Sequence, residues 1–292
     1  MHIMARTNKI KRRIWTVEKQ TTKNSTRRKT DFLATEEPLE IQLSAGREPY
    51  IEQKSIAITM RTPGNDYELA AGFLYNEGVV AQKRDIVQIT YCLGDEPGDQ
   101  EYNQLNVRLA APTLPELAQL DRHFFVNSAC GICGKMVLDE LAERDLPENT
   151  HEDDGSPLVQ SEIIYQLPTI LRRSQNLFES TGGLHAAALF SPDGTLMALR
   201  EDVGRHNALD KLIGWGLLNK QLPFTDKIIM VSGRASYELL QKCAVAGAPI
   251  LCAVSAPSSL AVELAEQFDI TLIGFLRDEK FNIYTGRERI GI

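Results

Sequence analysis

The segment SACGICGK, residues 128–135, sets Cys130 and Cys133 three positions apart among small residues and follows them with Lys135. Such a pair serves a metal site, a disulfide, or sulfur chemistry through a reactive thiolate. A structural zinc site needs four ligands, commonly from a second CxxC or a closely spaced pair of histidines. The chain has one CxxC, with His123, His185 and His206 as the further candidate ligands. Cys243 and Cys252 fall in the apolar patterns of a helix and a strand, where cysteine packs as a small core residue. Five cysteines with no secreted spacing pattern favour thiol chemistry or metal binding over cross-linking. Position favours reactivity: MVLDELAE after the pair reads as a helix, and a helix N-terminus beside Lys135 lowers a thiol's pKa. Gly131 and Gly134 leave the sulfurs accessible to a second macromolecule. A CxxC is also a redox signature, so dithiol exchange and sulfur relay both remain open on the residues alone.

A second group of candidates lies where predicted strands run into helices. REDVGRHNALD offers Arg205, His206 and Asn207 as a cap; VSGRASYE offers Ser232, Gly233, Arg234 and Ser236; VSAPSSLA offers Ser255, Ser258 and Ser259. In an open α/β sheet the carboxyl ends of strands form the ligand crevice. Free N–H groups and the dipole at each helix start favour an anion there. With Arg277 after the last apolar strand, three arginines face one crevice, which suits a ligand carrying several phosphates. Each loop alone reads as a helix cap plus a surface arginine; recurrence on successive strands supports the site. None is a Walker loop or a GxGxxG fingerprint, which disfavours a plain nucleotide hydrolase or a Rossmann dehydrogenase. His185 in GGLHAAAL invites comparison with the zinc deaminases. Here the HxE glutamate is replaced by Ala187, and the CxxC precedes the histidine without a leading proline, so deaminase chemistry is disfavoured.

These residues need a scaffold. LEIQLS, SIAITM, IVQITYCL and NVRLA read as strands around a helix, DYELAAGFLYNEG, capped by Asn65 or Asp66. They form a small α+β unit, residues 31–122. From residue 123 to 292, beyond FFVN and the CxxC segment, apolar strands alternate with amphipathic helices: an α/β domain with a parallel sheet covered on both faces and begun by one antiparallel hairpin, TGGLHAAALF with TLMALRED. The acidic stretch ERDLPENTHEDDGSP, residues 143–157, reads as a mobile surface loop within or beside this second unit.

Charge is unevenly spread. Residues 1–30 carry ten Lys or Arg against one Glu, so residues 31–292 must sum to −16 to reach the overall −7. The arm has little apolar periodicity and is expected to be disordered. It suits an acidic partner, nucleic acid or anionic lipid, or else a solvated tail, and its Arg-rich, acid-poor start also resembles an organellar transit peptide. No apolar run reaches the ~20 residues of a bilayer span, and no signal-peptide apolar region follows the first charges, so a cytoplasmic protein with no membrane partner is expected.

The motifs RTPGNDYELAAGFLYNEG, SACGICGK, TGGLHAAALF, REDVGRHNALDKLIG, SGRASYELLQKCAVAG and FNIYTGRERI, in that order, resemble the formate dehydrogenase accessory sulfurtransferase family, of FdhD/NarQ type. The resemblance covers roughly residues 35–292. It implies a cytidine-deaminase-like three-layer α/β domain with a smaller N-terminal α+β domain, assembled as a homodimer in the cytoplasm. It further implies a sulfurtransferase that accepts sulfur from a cysteine desulfurase as a Cys130 persulfide, with Cys133 as a second thiol. The acceptor implied is Mo-bis(molybdopterin guanine dinucleotide), a bound substrate that formate dehydrogenase requires for activity. No permanent cofactor, metal or nucleic acid is expected. The stretch Phe275, Leu276, Arg277, Asp278, Glu279 and Lys280 corresponds to the family's cofactor-binding segment, with Arg277 its best match. Arg205, His206, His185, Ser232, Gly233 and Arg234 complete the expected site. Two rivals remain: a cofactor carrier or chaperone without sulfur transfer, and a dithiol oxidoreductase that needs both cysteines equally.

Overall fold

The computed structural model describes residues 7–19, 24–92, 102–115, 146–147 and 157–292. The CxxC segment, FFVN, MVLDELAE and most of the acidic stretch lie outside the described residues. The basic arm departs from expectation. β1 (Lys9–Lys19) and β2 (Asn24–Ala34) pair antiparallel along their whole length, from Lys9 opposite Ala34 to Lys19 opposite Asn24. The arm has period-two order: Ile10, Ile14 and Thr16 are half-buried, while Trp15 and Val17, on the other face, are exposed. Alternation over so short and charged a segment is masked by its net charge.

Along β3 (Glu37–Arg47), Leu39, Ile41, Leu43 and Ala45 alternate with other residues and are buried. β4 (Tyr50–Arg61) pairs with it antiparallel, α1 (Asp66–Asn76) follows, and β5 (Ile86–Tyr91) and β6 (Gln104–Leu109) complete a four-stranded sheet of order β4-β3-β6-β5. Leu69, Ala70 and Leu74 of α1 cover the apolar face of this sheet, against Leu39, Ile41, Leu105 and Val107.

A short strand, β7 (Val159–Gln160), opens the second unit and pairs parallel with β14 (Ile290–Gly291) at the chain's end. The segment LVQSEIIYQLPTILRRSQNLF, residues 158–178, reads by its spacing as one helix, but the structure has two, α2 (Ser161–Ser174) and α3 (Asn176–Thr181), separated at Gln175. Then come β8 (His185–Phe190), β9 (Leu196–Asp202), α4 (Arg205–Leu218), β10 (Ile228–Val231), α5 (Tyr237–Val245), β11 (Ile250–Ala253), α6 (Ser259–Gln267), β12 (Thr271–Arg277) and β13 (Lys280–Thr285). The sheet order is β13-β12-β11-β10-β8-β9. Only β10, β11 and β12 run parallel; β8 pairs antiparallel with β10, and β13 antiparallel with β12. The sheet is therefore more mixed than the apolar patterns predict. The strand β13 was not anticipated, because its buried residues are only partly so and no apolar run marks it.

Period two sorts this sheet's residues into two cores. Ala187, Leu189, Ile229, Val231, Leu251 and Leu272 face α4, α5 and α6. Ala186, Ala188, Phe190, Met230, Cys252 and Ile273 face α2. The result is a helix, sheet, helix sandwich in a mixed α/β chain.

α1 and α4 join the two units. A Cβ on Gly72 would overlap the carbonyl oxygen of Asp210, and one on Gly214 that of Glu68. Glycine at both crossings lets the helix backbones touch. Beside the crossing, Asp202 is fully buried and accepts hydrogen bonds from the Thr62 N–H at 3.1 Å, the Gly204 N–H at 2.8 Å and Asn207 Nδ2 at 3.2 Å, with Lys211 Nζ at 2.6 Å. Lys211 also donates to the Thr62 carbonyl at 2.8 Å. Arg61, 0 % exposed, donates to Asp66 at 2.9 Å and to the Tyr102 carbonyl at 3.0 Å. Thus RTPGND is the hinge-free joint by which β4 and α1 clasp the second unit.

Candidate functional site

The parallel strands β10 and β11 end side by side, Val231 opposite Ala253. Their loops remain in register beyond the sheet: Ser255 N–H donates to the Gly233 carbonyl at 3.2 Å, Ser258 N–H to the Ala235 carbonyl at 3.0 Å, and Ala235 bridges Pro257. Phe275 N–H donates to the Ser255 carbonyl at 3.1 Å, which ties the end of β12 to the same row. Because β8 runs antiparallel to β10, its first residue, His185, arrives at this end too, with Asp202 opposite it on β9 and the start of α4 just beyond. The carboxyl end of the sheet thus collects His185, Arg205, His206, Ser232 and Gly233; the last four lie at strand-to-helix junctions, and His185 opens an antiparallel strand.

Close packing shapes this end. A Cβ on Gly233 would stand 3.4 Å from His185 Nδ1, so the glycine backbone lies against the imidazole. Ser232 Oγ accepts from the Ala186 N–H at 2.9 Å, and Ser232 N–H donates to the Ala186 carbonyl at 3.0 Å, which anchors the loop to β8. His206 Nε2 lies 2.5 Å from Glu238 Oε2, across the starts of α4 and α5. That contact holds the Glu238 carboxyl below its ordinary value, with the Arg205 and Lys242 charges acting the same way against burial. Burial lowers the His185 pKa from 6.5, the charges of Arg205 and His206 lower it further, and Asp202 opposes them. His185 is accordingly a neutral imidazole at pH 7, able to donate and accept one hydrogen bond each. Three buried polar atoms here have no partner in hydrogen-bonding geometry among the described residues: Arg205 Nε, Ser236 Oγ and His206 Nε2, the last standing in its ionic contact with Glu238. Buried polar atoms are normally paired, so unpaired ones mark this end of the sheet as a candidate ligand site.

Arg234 follows Gly233 in the same loop and is exposed. Other expected residues stand farther along the sheet. Phe275 to Lys280 form the base and tip of the β12–β13 hairpin, with Arg277 opposite Lys280 and positive φ at Asp278 (51°) and Glu279 (58°), as a two-residue hairpin turn requires. Arg277, Asp278, Glu279 and Lys280 are exposed, whereas Leu276 is 1 % exposed and belongs to the core beneath α2. Three strand spacings separate β8 from β12, so His185 and the hairpin are about 14 Å apart across the sheet. Asn207 does not cap α4. Gly204 is the N-cap, and Asn207 instead donates to the Met60 carbonyl at 2.8 Å and accepts from Thr59 Oγ1 at 3.2 Å. Ser258 does cap α6, accepting from the Ala261 N–H at 3.2 Å.

Sequence reasoning missed Asp202, Lys211 and Thr62, the groups that hold the α4 start in place. The available signal was a lysine inside the apolar pattern of ALDKLIGW. Cys130 and Cys133 lie outside the described residues. Cys243 and Cys252 are wholly buried, and burial pushes both thiols far up; Cys92, half-buried, is also raised, by burial and then by Glu40. None of the described cysteines is therefore an activated thiolate. Among the described residues no three His, Cys, Asp or Glu cluster as a metal site, and no helix is long and apolar enough to cross a membrane.

The profile of the FdhD/NarQ family matches residues 34–291, which includes every element that builds the crevice. The chain belongs to the FdhD/NarQ family. It is 49 % identical over 264 residues to the sulfur carrier protein FdhD of Streptomyces coelicolor, with 90 % of each chain covered. It is 46 % identical over 260 residues to the protein of that name from Sulfurisphaera tokodaii, covering 89 % of this chain and 92 % of the relative. A crystal structure from Desulfotalea psychrophila, described as a proposed formate dehydrogenase accessory protein, superposes with a TM-score of 0.70 at 23 % identity, covering 96 % of this chain and 99 % of that one. This FdhD-type neighbour shares the fold.

Proposed function

We propose that this chain is a sulfurtransferase that carries sulfur as a Cys130 persulfide to a molybdenum cofactor in formate dehydrogenase maturation. The observation that carries the reading is the family match from residue 34 to 291, which spans the CxxC and extends to relatives named as sulfur carriers. Cys130 thiolate attacks the outer sulfur of a cysteine desulfurase persulfide, the donor's cysteine leaves as thiolate, and Cys130 holds the sulfur. Delivery of the outer sulfur breaks the persulfide S–S bond, whose electron pair stays on Cys130 as thiolate, while the acceptor supplies the pair that forms the new bond to sulfur and is oxidised by two electrons; Cys133 assists as a second thiol.

The acceptor proposed is Mo-bis(molybdopterin guanine dinucleotide), a substrate with several phosphates. Arg205 and the helix starts at α4 and α5 suit a phosphate, since their buried Arg205 Nε and Ser236 Oγ lack other partners among the described residues. Neutral His185 and the Gly233 backbone suit a hydrogen-bonding group of the same ligand. The exposed Arg234, Arg277 and Lys280 suit its outer parts, reached across the width of the sheet. A cytidine-deaminase-like second domain, a homodimer and a cytoplasmic setting complete the proposal.

Intact mass spectrometry without reductant, after incubation with a cysteine desulfurase and free cysteine, tests it. One added sulfur mapped to Cys130 and lost in Cys130→Ala is expected. Full activation of formate dehydrogenase by Cys130→Ala would overturn the relay in favour of a cofactor carrier. Equal loss in Cys130→Ala and Cys133→Ala, with a disulfide cycling between them, would favour the oxidoreductase.

A further inference from the structure

The ribbon of β1 and β2 has two unlike faces. Directly opposed residues of an antiparallel pair share a face, and successive residues alternate. One face carries Lys9, Lys11, Arg13 and Trp15 with Arg28 and Phe32, and has no carboxylate among its described side chains. On the other, cations are answered: Arg27 lies 2.8 Å from Glu18, and Lys29 3.9 Å from Asp31. The unanswered face is also ordered. The Arg28 guanidinium sits 4.7 Å from the Trp15 ring centre, and Lys9 and Lys11 lie 5.1 and 5.5 Å from that of Phe32. Such stacks hold cations at fixed spacing rather than leaving them to sweep through water. Trp15 is nonetheless 62 % exposed.

We propose that this face docks an acidic polypeptide surface of a client protein. Fixed, separated cations match carboxylates, and Arg13 and Arg28 offer the planar fork that binds a carboxylate in two-point fashion. An exposed tryptophan at the centre adds the apolar anchor typical of protein contacts. A nucleic-acid strand fits less well. Base stacking needs free ring faces, whereas these rings already carry cations. The location has a use: β2 packs on α3, and α3 leads through Gly182 and Gly183 to His185 at the crevice. A client held on the ribbon stands beside the crevice mouth. The inference is independent of sulfur transfer, because docking is a binding equilibrium that needs no persulfide.

Fluorescence anisotropy of a labelled glutamate-rich peptide with the full chain tests it, using two variants of equal net charge. Lys11→Ser with Arg28→Ser removes cations from the unanswered face; Arg12→Ser with Lys29→Ser removes them from the other. The first pair is expected to weaken binding about fivefold, as two exposed charge contacts would, and the second less than about twofold. Equal losses would overturn the proposal, as would tighter binding of oligouridylate or of phosphatidylserine vesicles than of the peptide. Hydrogen exchange of the β1 and β2 amides checks that each variant keeps the ribbon. Independently of any variant, wild-type binding must weaken as salt rises, and affinity insensitive to salt would also overturn the proposal.

Discussion

Asp202 and Arg205 are three residues apart, yet they belong to opposite kinds of polar site. Around Asp202 each carboxylate oxygen is engaged: two backbone N–H groups, Asn207 and Lys211 converge on it, and nothing remains for a ligand. Around Arg205 a buried Nε and the Ser236 Oγ lack partners among the described residues. A polar group satisfied from within serves the fold, and one left unsatisfied at an opening serves whatever enters. The first site holds rigid the loop from which the second projects.

That contrast can be broken at several points. The largest effect is expected from Lys211→Met, which strands a buried carboxylate and should cost about 3–5 kcal/mol in chemical denaturation; a cost under about 1 kcal/mol would show that the Asp202 site is dispensable. Next, Gly214→Ala drives a methyl group into the α1 backbone at Glu68 and should cost about 2–3 kcal/mol, with no change in the cysteine chemistry. Arg205→Ala should leave stability within about 0.5 kcal/mol, yet weaken binding of guanosine diphosphate about tenfold by calorimetry. The reverse pattern would make Arg205 a structural residue. The smallest effect is in pH dependence. Since the folded His185 pKa lies below 6.5, the unfolded chain takes up the proton first, so stability is full above pH 6.5 and declines as pH falls through that value. Thermal melts of His185→Gln should show a shallower acid-side decline than wild type.

Much of the crevice was legible because its chemistry follows chain order. Glycine, serine and arginine just after an apolar strand and just before a helix mark a strand-to-helix loop, and parallel strands bring such loops together. Ser232, Gly233 and Ser255 fall side by side on that logic, whereas His185 joins them only because β8 runs antiparallel to β10. What was not legible depends on pairing between distant segments. The bond from the Thr62 N–H to Asp202 spans 140 residues, and no periodicity reports it. Asn207 looked like a cap because asparagine favours that role, but a partner on β4, Met60, claimed its side chain. In the arm, charge hid the alternation: Lys11, Arg13 and Trp15 on one face of β1 read as a solvated tail until the opposing strand supplied Arg28 and Phe32. Leu276 shows the converse, since a segment that resembles a cofactor-binding stretch places this side chain in the core beneath α2.

The glycine crossing of α1 and α4 has a mechanical consequence. Helices that slide past one another in domain shear do so over a cushion of side chains that can exchange rotamers. Here backbone meets backbone at Gly72 and Gly214, and moving either helix by one residue would bring a Cβ from Ala71 or Ile213 into that contact. The two units therefore act as one stiff frame with no gear between them. If the cofactor proposed above binds at the sheet's end, its accommodation falls to the loops there and not to movement between α1 and α4.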